Sequence, residues 1–221
     1  MKVGILIDPT TIKAKILIDR LKNHGIFKKK EIFFILPSSY KHTDLDYALR
    51  DSKFLKENDL SCEEDINFLK DFDFLITFGW PFIVCEKAVN SLSSIINIHG
   101  GKLPDYRGSS VYYHMWAHLE KIGSTTAHIL VKSIDEGDII SSKNFNISFW
   151  DSPKDILKKS SNAGIDLLIE IIDKENKNIP KKQNTGRYFY PSPIWKLVLY
   201  RIVNIIMATL GKKIILPHKL K

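Results

Sequence analysis

Asn97-Ile98-His99 closes an apolar run, and Asp135 follows the histidine by 36 residues in the stretch Ile-Asp-Glu-Gly-Asp-Ile-Ile. Together these side chains supply an amide donor, a titratable imidazole and a carboxylate. Such a set suits attack by an amine on a carbonyl-like carbon. An imidazolium held by a carboxylate, with an amide N–H beside it, stabilises the oxyanion of a tetrahedral intermediate. The neighbouring carboxylate favours the charged imidazole, and it can help withdraw the amine proton directly or through water. Taken singly, each residue has a plainer reading: Asn97 and His99 satisfy backbone groups at a sheet edge, and Asp135 makes a turn. Taken together, their spacing favours an enzyme. The intervening run Leu103-Pro104-Asp105-Tyr106-Arg107-Gly108 is too irregular for a helix or a strand.

Alternating strands and helices position this set. Met1 to Asp8 reads as a buried strand stopped by Asp8-Pro9. Thr10 or Thr11 caps a helix running to about His24. Glu31 to Leu36, Phe72 to Phe78 and Ser94 to His99 read as further strands, with helices at Asp44 to Leu55 and Cys62 to Leu69. The order predicts an α/β fold, a Rossmann-like and mostly parallel sheet with helices on both faces. Asn97 and His99 then share one face at the carboxyl end of a strand, where such sheets bind ligands. Ser110 to Lys121 reads as a helix, and Thr125 to Lys132 and Ile139 to Ile147 as strands. Ser152 caps a long helix to Lys174, with Ile156, Ala163, Leu167, Leu168, Ile171 and Ile172 as its apolar face. Asn176 to Pro193 is polar and turn-rich, a linker by composition, and Ile194 to Leu210 is a last apolar helix. The chain thus divides into a catalytic domain, 1–175, and a short C-terminal helical extension, 176–221.

With 221 residues, 44% apolar and 26% charged, one substantial core is expected. Cys62 and Cys85 have neither metal nor redox spacing, and the N-terminal apolar run is too short for a secretory signal. A reduced, cytoplasmic setting follows. The net charge of +8 attracts nucleic acid, acidic membranes and phosphorylated metabolites alike, but lysines occur along the whole chain and read as surface residues. His114 and His118 stand at i, i+4, with Met115 where a zincin needs glutamate, so they read as a plain helix surface and no metal is expected. No serine-hydrolase elbow, P-loop or dinucleotide fingerprint occurs. The helix 194–210 is interrupted by Lys196, Arg201 and Asn204 and falls short of a membrane span. Packing against the domain or a homodimer mate is its simpler reading. With Lys212, Lys213, Lys219 and Lys221 behind it, peripheral membrane contact through 194–221 is the other.

The segment Asn97 to Ile140 resembles the catalytic half of the formyltransferases that use N10-formyltetrahydrofolate. Their Asn-x-His, Leu-Pro-x-Tyr-Arg-Gly-like loop and Asp-x-Gly stand here as Asn97-Ile98-His99, Leu103 to Gly108 and Asp135-Glu136-Gly137. The resemblance implies that Asn97, His99 and Asp135 are the catalytic residues, with Asp138 the near competitor for the carboxylate role. It implies N10-formyltetrahydrofolate as co-substrate, without a metal, beside Trp80, Phe82, Ile83 and Asp138. It also implies an acceptor held around Gly101, Lys102, Tyr106, Arg107 and Gly108. Similar enzymes usually have Pro-Ser after the histidine, whereas this chain has Gly100-Gly101, which removes a hydroxyl.

The acceptor follows by comparison within that family. Asp8-Pro9-Thr10-Thr11 replaces the Gly-rich phosphate loop of the purine-pathway members. The residues after the long helix are too few, and too little strand-like, for the barrel of the initiator-tRNA members. The regulatory N-terminal domain of the folate-hydrolysing members is not expected here either. The enzymes that formylate nucleotide-linked amino sugars for lipopolysaccharide, O-antigen or capsule remain the best match. Tyr188 and Tyr190 lie in a segment similar to the one closing the sugar site, where they can stack on a base; a packed turn beside Pro191 is their plainer reading. The alternatives are a tRNA-linked or ribonucleotide amine, or a catalytically dead basic module that binds nucleic acid on the same scaffold. The leading reading has no nucleic-acid partner.

Overall fold

Alternating apolar positions give one sheet two buried faces. In the computed structural model, which describes residues 1–25, 31–40, 49, 52–93, 95–173, 179–212 and 219–220, β1 (Lys2–Leu6) sends Val3 and Ile5 to one face and Leu6 to the other. β2 (Glu31–Leu36), β3 (Lys53–Phe54), β4 (Phe74–Thr77) and β5 (Ile95–His99) continue in parallel. β6 (Arg107–Gly108) lies outside this sheet, and β7 (Ile122–Ile129) and β8 (Ile139–Asn146) close it in antiparallel fashion. The seven strands run β3-β2-β1-β4-β5-β7-β8, a mixed and mostly parallel sheet.

Helices cover both faces. Asp8 accepts from the Thr10 backbone N–H and hydroxyl, and Thr11 caps α1 (Ile12–His24) through Ala14 N at 3.2 Å. Gly25 ends that helix at φ 71°. α2 (Glu63–Leu69) and α3 (Glu86–Ser91) pack on the face of Leu6, Leu75 and Ile95. α4 (Val111–Ala117) precedes β7, and α5 (Pro153–Asp173) joins α1 on the face of Val3, Ile5, Ile96 and Ile98. α6 (Ile194–Thr209) packs against α4.

Several boundaries move. The helix expected over Asp44 to Leu55 falls mostly outside the described residues, as do Ser94 and Lys174. The end of the first of these, Lys53–Phe54, is a strand, because it pairs with Ile35 and Leu36 at the open sheet edge. The helix expected to Lys121 stops at Ala117, and β7 starts at Ile122, earlier than its alternation suggested, drawn out by pairing with β8.

The larger correction concerns the turn-rich segment after α5. It is not a free linker, and it is not without strands. β9 (Arg187–Phe189) pairs in parallel with β6 and antiparallel with β10 (Lys219–Leu220), making a second sheet. Lys181 and Ile139 exchange backbone hydrogen bonds at 2.8 Å each way. Phe189, 1% exposed, stacks on Tyr106 at 5.0 Å and lies 4.6 and 5.5 Å from the His114 and His118 rings. Those two histidines, expected on a helix surface, are therefore buried. His114 Nε2 donates to the Tyr190 carbonyl. The Tyr106 hydroxyl gives its proton to Glu120 and so accepts from His118 Nδ1 at 2.9 Å.

Phe189→Ala empties the place where the extension docks, and large-to-small core changes of this kind cost about 3–5 kcal/mol. Urea unfolding should show a loss of that order, with faster proteolysis between residues 179 and 193. An unchanged midpoint and cleavage pattern would mean that the segment is the free linker its composition suggested.

Candidate functional site

Strand parity carries Asn97 and His99 to the same face of β5, and the loop between β7 and β8 folds back to place Asp135 over them. His99 Nδ1 lies 3.4 Å from Asp135 Oδ2, with both side chains under 10% exposed. Asn97 Nδ2 is 3.4 Å from Asp135 Oδ1, and its Oδ1 accepts from the Thr77 hydroxyl at 2.8 Å. Asp135 Oδ2 also accepts the Gly108 backbone N–H at 2.8 Å. His99 Nε2 faces the Tyr106 carbonyl at 2.6 Å, and a carbonyl only accepts, so that nitrogen bears the proton. When the ring is neutral, the Nδ1 lone pair is aimed at Asp135.

Sequence reading missed two members of this cluster. His128 sits opposite Asn97 in the β5–β7 register. Its Nδ1 donates to the Ile129 carbonyl, leaving Nε2 to accept from Asn97 Nδ2 at 3.1 Å. The signal was a histidine in an otherwise apolar alternation. The other is Gln183, whose amide donates to the carbonyls of Asp135 and Gly137 while its oxygen accepts from Arg107. Only the folded chain reveals that link. Asp135 is held at φ 55°, and a Cβ at Gly137 would stand 1.7 Å from the Ile129 carbonyl, so glycine is demanded there.

Burial alone would raise the Asp135 pKa, but interaction with His99 and His128 and the Gly108 N–H outweigh it and hold the carboxyl at about 2. Burial pushes the His99 imidazole below its ordinary value, against the pull of Asp135. The site therefore pairs a firmly ionised acid with an imidazole that is reluctant to charge.

A cleft of about 400 Å³ opens beside these groups, walled by Trp80, Phe82, Ile83, Val84, Leu130 and Ile134, with Asn97, His128, Gly108 and Asp135 at its polar end. Among the described residues, none gives the buried Trp80 Nε1 a hydrogen-bond partner. A second hollow of about 320 Å³ adjoins it, reaching His99, Gly100, Ser109, Tyr112 and Lys13. Of the residues expected around ligands, Trp80, Phe82, Ile83 and Gly108 line this space. Asp138 does not; its carbonyl is taken by Ile129 in the β7–β8 turn. Lys102 is exposed and paired with Asp105, and Tyr106 and Arg107 are buried pointing elsewhere, Arg107 to Gln183 and Asn184. Gly101 lies behind His99, where a Cβ would meet the Tyr106 carbonyl at 2.8 Å and His99 Nε2 at 2.9 Å. Among the described residues, no group of three or more His, Cys, Asp or Glu is arranged to hold a metal ion.

Residues 1–172 match the family model described as formyl transferase, and the chain belongs to that family. The methionyl-tRNA formyltransferase of Thermodesulfovibrio yellowstonii is 32% identical over 162 residues, covering 66% of this chain and 52% of that protein. That of Streptococcus sanguinis is 27% identical over 170 residues, covering 75% and 52%. The chain spans about half the length of these relatives. Among solved structures, a sugar N-formyltransferase from Shewanella superposes with a TM-score of 0.68 at 17% identity, covering 91% of this chain and 87% of that one. An N-formyltransferase from Helicobacter canadensis, solved with folinic acid and dTDP-3-aminofucose, gives 0.65 at 23% identity, covering 86% and 70%. At such identities the likeness is one of fold.

The lowered pKa values make stability depend on acid. The unfolded chain takes a proton on this imidazole near its ordinary 6.5, which the folded chain resists, so His99 weakens the fold as pH falls through 6.5. Asp135 adds a further loss between its ordinary 3.8 and about 2. Relative to His99→Gln, the wild-type urea midpoint should fall more steeply between about pH 7.5 and pH 5. Parallel slopes for the two proteins would contradict a buried, resistant imidazole.

Proposed function

We propose that this protein transfers a formyl group from N10-formyltetrahydrofolate to the amine of a nucleotide-linked amino sugar, in the cytoplasm. The convergence of Asn97, His99 and Asp135 at the polar end of an aromatic-walled cleft carries this reading. The cleft suits a flat pterin: Trp80 and Phe82 offer ring faces, and the buried Trp80 N–H offers a donor to a ring acceptor. Residues 1–175 form the catalytic body, and the extension 176–221 completes the site through Gln183 and Tyr188.

In this reading Asp135 accepts an N–H of the incoming amine and aligns its lone pair on the formyl carbon. Asn97 gives up its long contact to Asp135 and donates to the oxygen that gains charge. That charge, added to Asp135, raises the pKa of His99. The neutral Nδ1, 3.4 Å from the carboxylate, then takes the amine proton that an acid of pKa about 2 does not keep. The new C–N bond forms, the bond from carbon to N10 breaks, and the proton passes to the departing N10.

A nucleotide-linked acceptor is supported by Tyr188, which lines the cleft, and Tyr190 beside it, with ring centroids 4.6 Å apart. Methionyl-tRNA is the second reading, favoured by the 32% sequence identity.

His99→Ala and Asp135→Asn should each lower formyl transfer by about 10²- to 10⁴-fold with far-ultraviolet circular dichroism preserved. Unchanged turnover in both removes the proposal. Offering dTDP-, UDP- and GDP-linked amino sugars and methionyl-tRNA with the formyl donor, and reading the mass gain of one formyl group, decides the acceptor.

A further inference from the structure

Charge and exposed apolar surface are concentrated in the same part of this chain. Ten of the 33 Lys and Arg fall after residue 175, and none of the 25 Asp and Glu do. Residues 1–175 therefore carry a net charge of −2, and the extension carries +10, which yields the +8 of the whole. Lysines occur along the entire chain, yet the excess positive charge belongs to its last 46 residues alone.

The same extension presents α6. One face of this helix buries Leu197 and Asn204, with Asn204 Nδ2 donating to the Ala117 carbonyl at 2.8 Å. The opposite face and the residue that follows it expose Ile194, Trp195, Val198, Leu199, Ile202, Ile206 and Leu210, each 39–67% accessible. At 100° per residue these positions fill an arc of about 160°, a continuous stripe rather than scattered side chains. Arg201 reaches sideways to the Phe149 carbonyl at 2.6 Å and covers its ring, holding the exposed pair Phe149-Trp150 next to the helix. Soluble surfaces rarely leave a contiguous apolar patch of this kind without an occupant.

Charge and side-chain chemistry select among occupants. A second copy would bring another extension of +10 against the first. A nucleic acid fits the charge but not an aliphatic contact face. An anionic lipid surface fits both: apolar side chains enter the acyl boundary, while Lys196 and Lys212, exposed near the two ends of the helix, meet headgroups. No helix among the described residues is long and apolar enough to cross a membrane, and 16 residues of α6 span about 24 Å. We propose that α6, with its basic surroundings, lies flat on an anionic bilayer and docks the protein there.

The full chain is tested by co-sedimentation with phosphatidylcholine vesicles, with and without about a third phosphatidylglycerol. Binding should be at least about ten-fold tighter to the anionic vesicles and should weaken as salt rises. Ile202→Glu with Ile206→Glu should lower it by about ten-fold or more, with circular dichroism and turnover of a free acceptor unchanged. Lys212→Gln and Lys213→Gln should each cost about five-fold on anionic vesicles and nothing on neutral ones. Equal binding by wild type and the double glutamate variant overturns the proposal. So does a dimer in sedimentation velocity, dissolved by that variant, without vesicle binding. Turnover measured without vesicles tests formyl transfer separately, so either proposal can fail alone.

Discussion

Asp135 keeps a negative charge in a place almost closed to water, and the rest of the site is arranged around that fact. An ionised carboxylate buried without partners costs several kcal/mol or takes up a proton. Here Gly108 offers a backbone N–H and Asn97 an amide N–H, while the His99 and His128 rings, each 3.4 Å away, favour the charge whenever they carry a second proton. The backbone of the same residue is in the left-handed region, with its carbonyl held by Gln183 and the close approach at Gly137 behind it. Remove any one partner and the charge loses part of what makes it tolerable. Four separate parts of the chain, β5, β6, β7 and the extension, must therefore be in place before the acid is.

The residues after α5 divide into two parts. The first part adds β9 to β6, inserts Phe189 beneath Tyr106, and brings Gln183 to the Asp135 loop. The second part, α6, is fastened through Asn204 and Arg201 and leaves its apolar stripe outward. Residues 1–175 are close to neutral, whereas residues 176–221 hold Lys and Arg but no Asp or Glu. Charge asymmetry of this kind orients a protein on an anionic surface before any specific contact forms.

Much of this was legible in the residues. Period-two alternation in Ile95 to His99 places Asn97 and His99 on one face whatever the tertiary fold, because side chains in a strand alternate. Asp8 and Thr11 announce the start of α1, since their oxygens satisfy N–H groups that no helix can satisfy internally. Runs such as Glu31 to Leu36 and Phe74 to Thr77 mark the sheet. These are signals of short range, and six of the seven strands, with helices on both faces, follow from them.

Other features have no short-range signal. His114 and His118 look like a helix surface until Phe189, more than 70 positions away, covers them. Tyr106 and Arg107 sit in the motif loop, yet they turn inward because Glu120, His118 and Gln183 offer them partners. His128 joins Asn97 through a strand register, and Lys53–Phe54 becomes a strand through edge pairing. The residues alone determined the chemistry available, through the amide, imidazole and carboxylate and the faces that periodicity assigns them. Only the tertiary structure decided which groups meet and which charges survive burial, because pairing across long loops depends on how the whole chain closes.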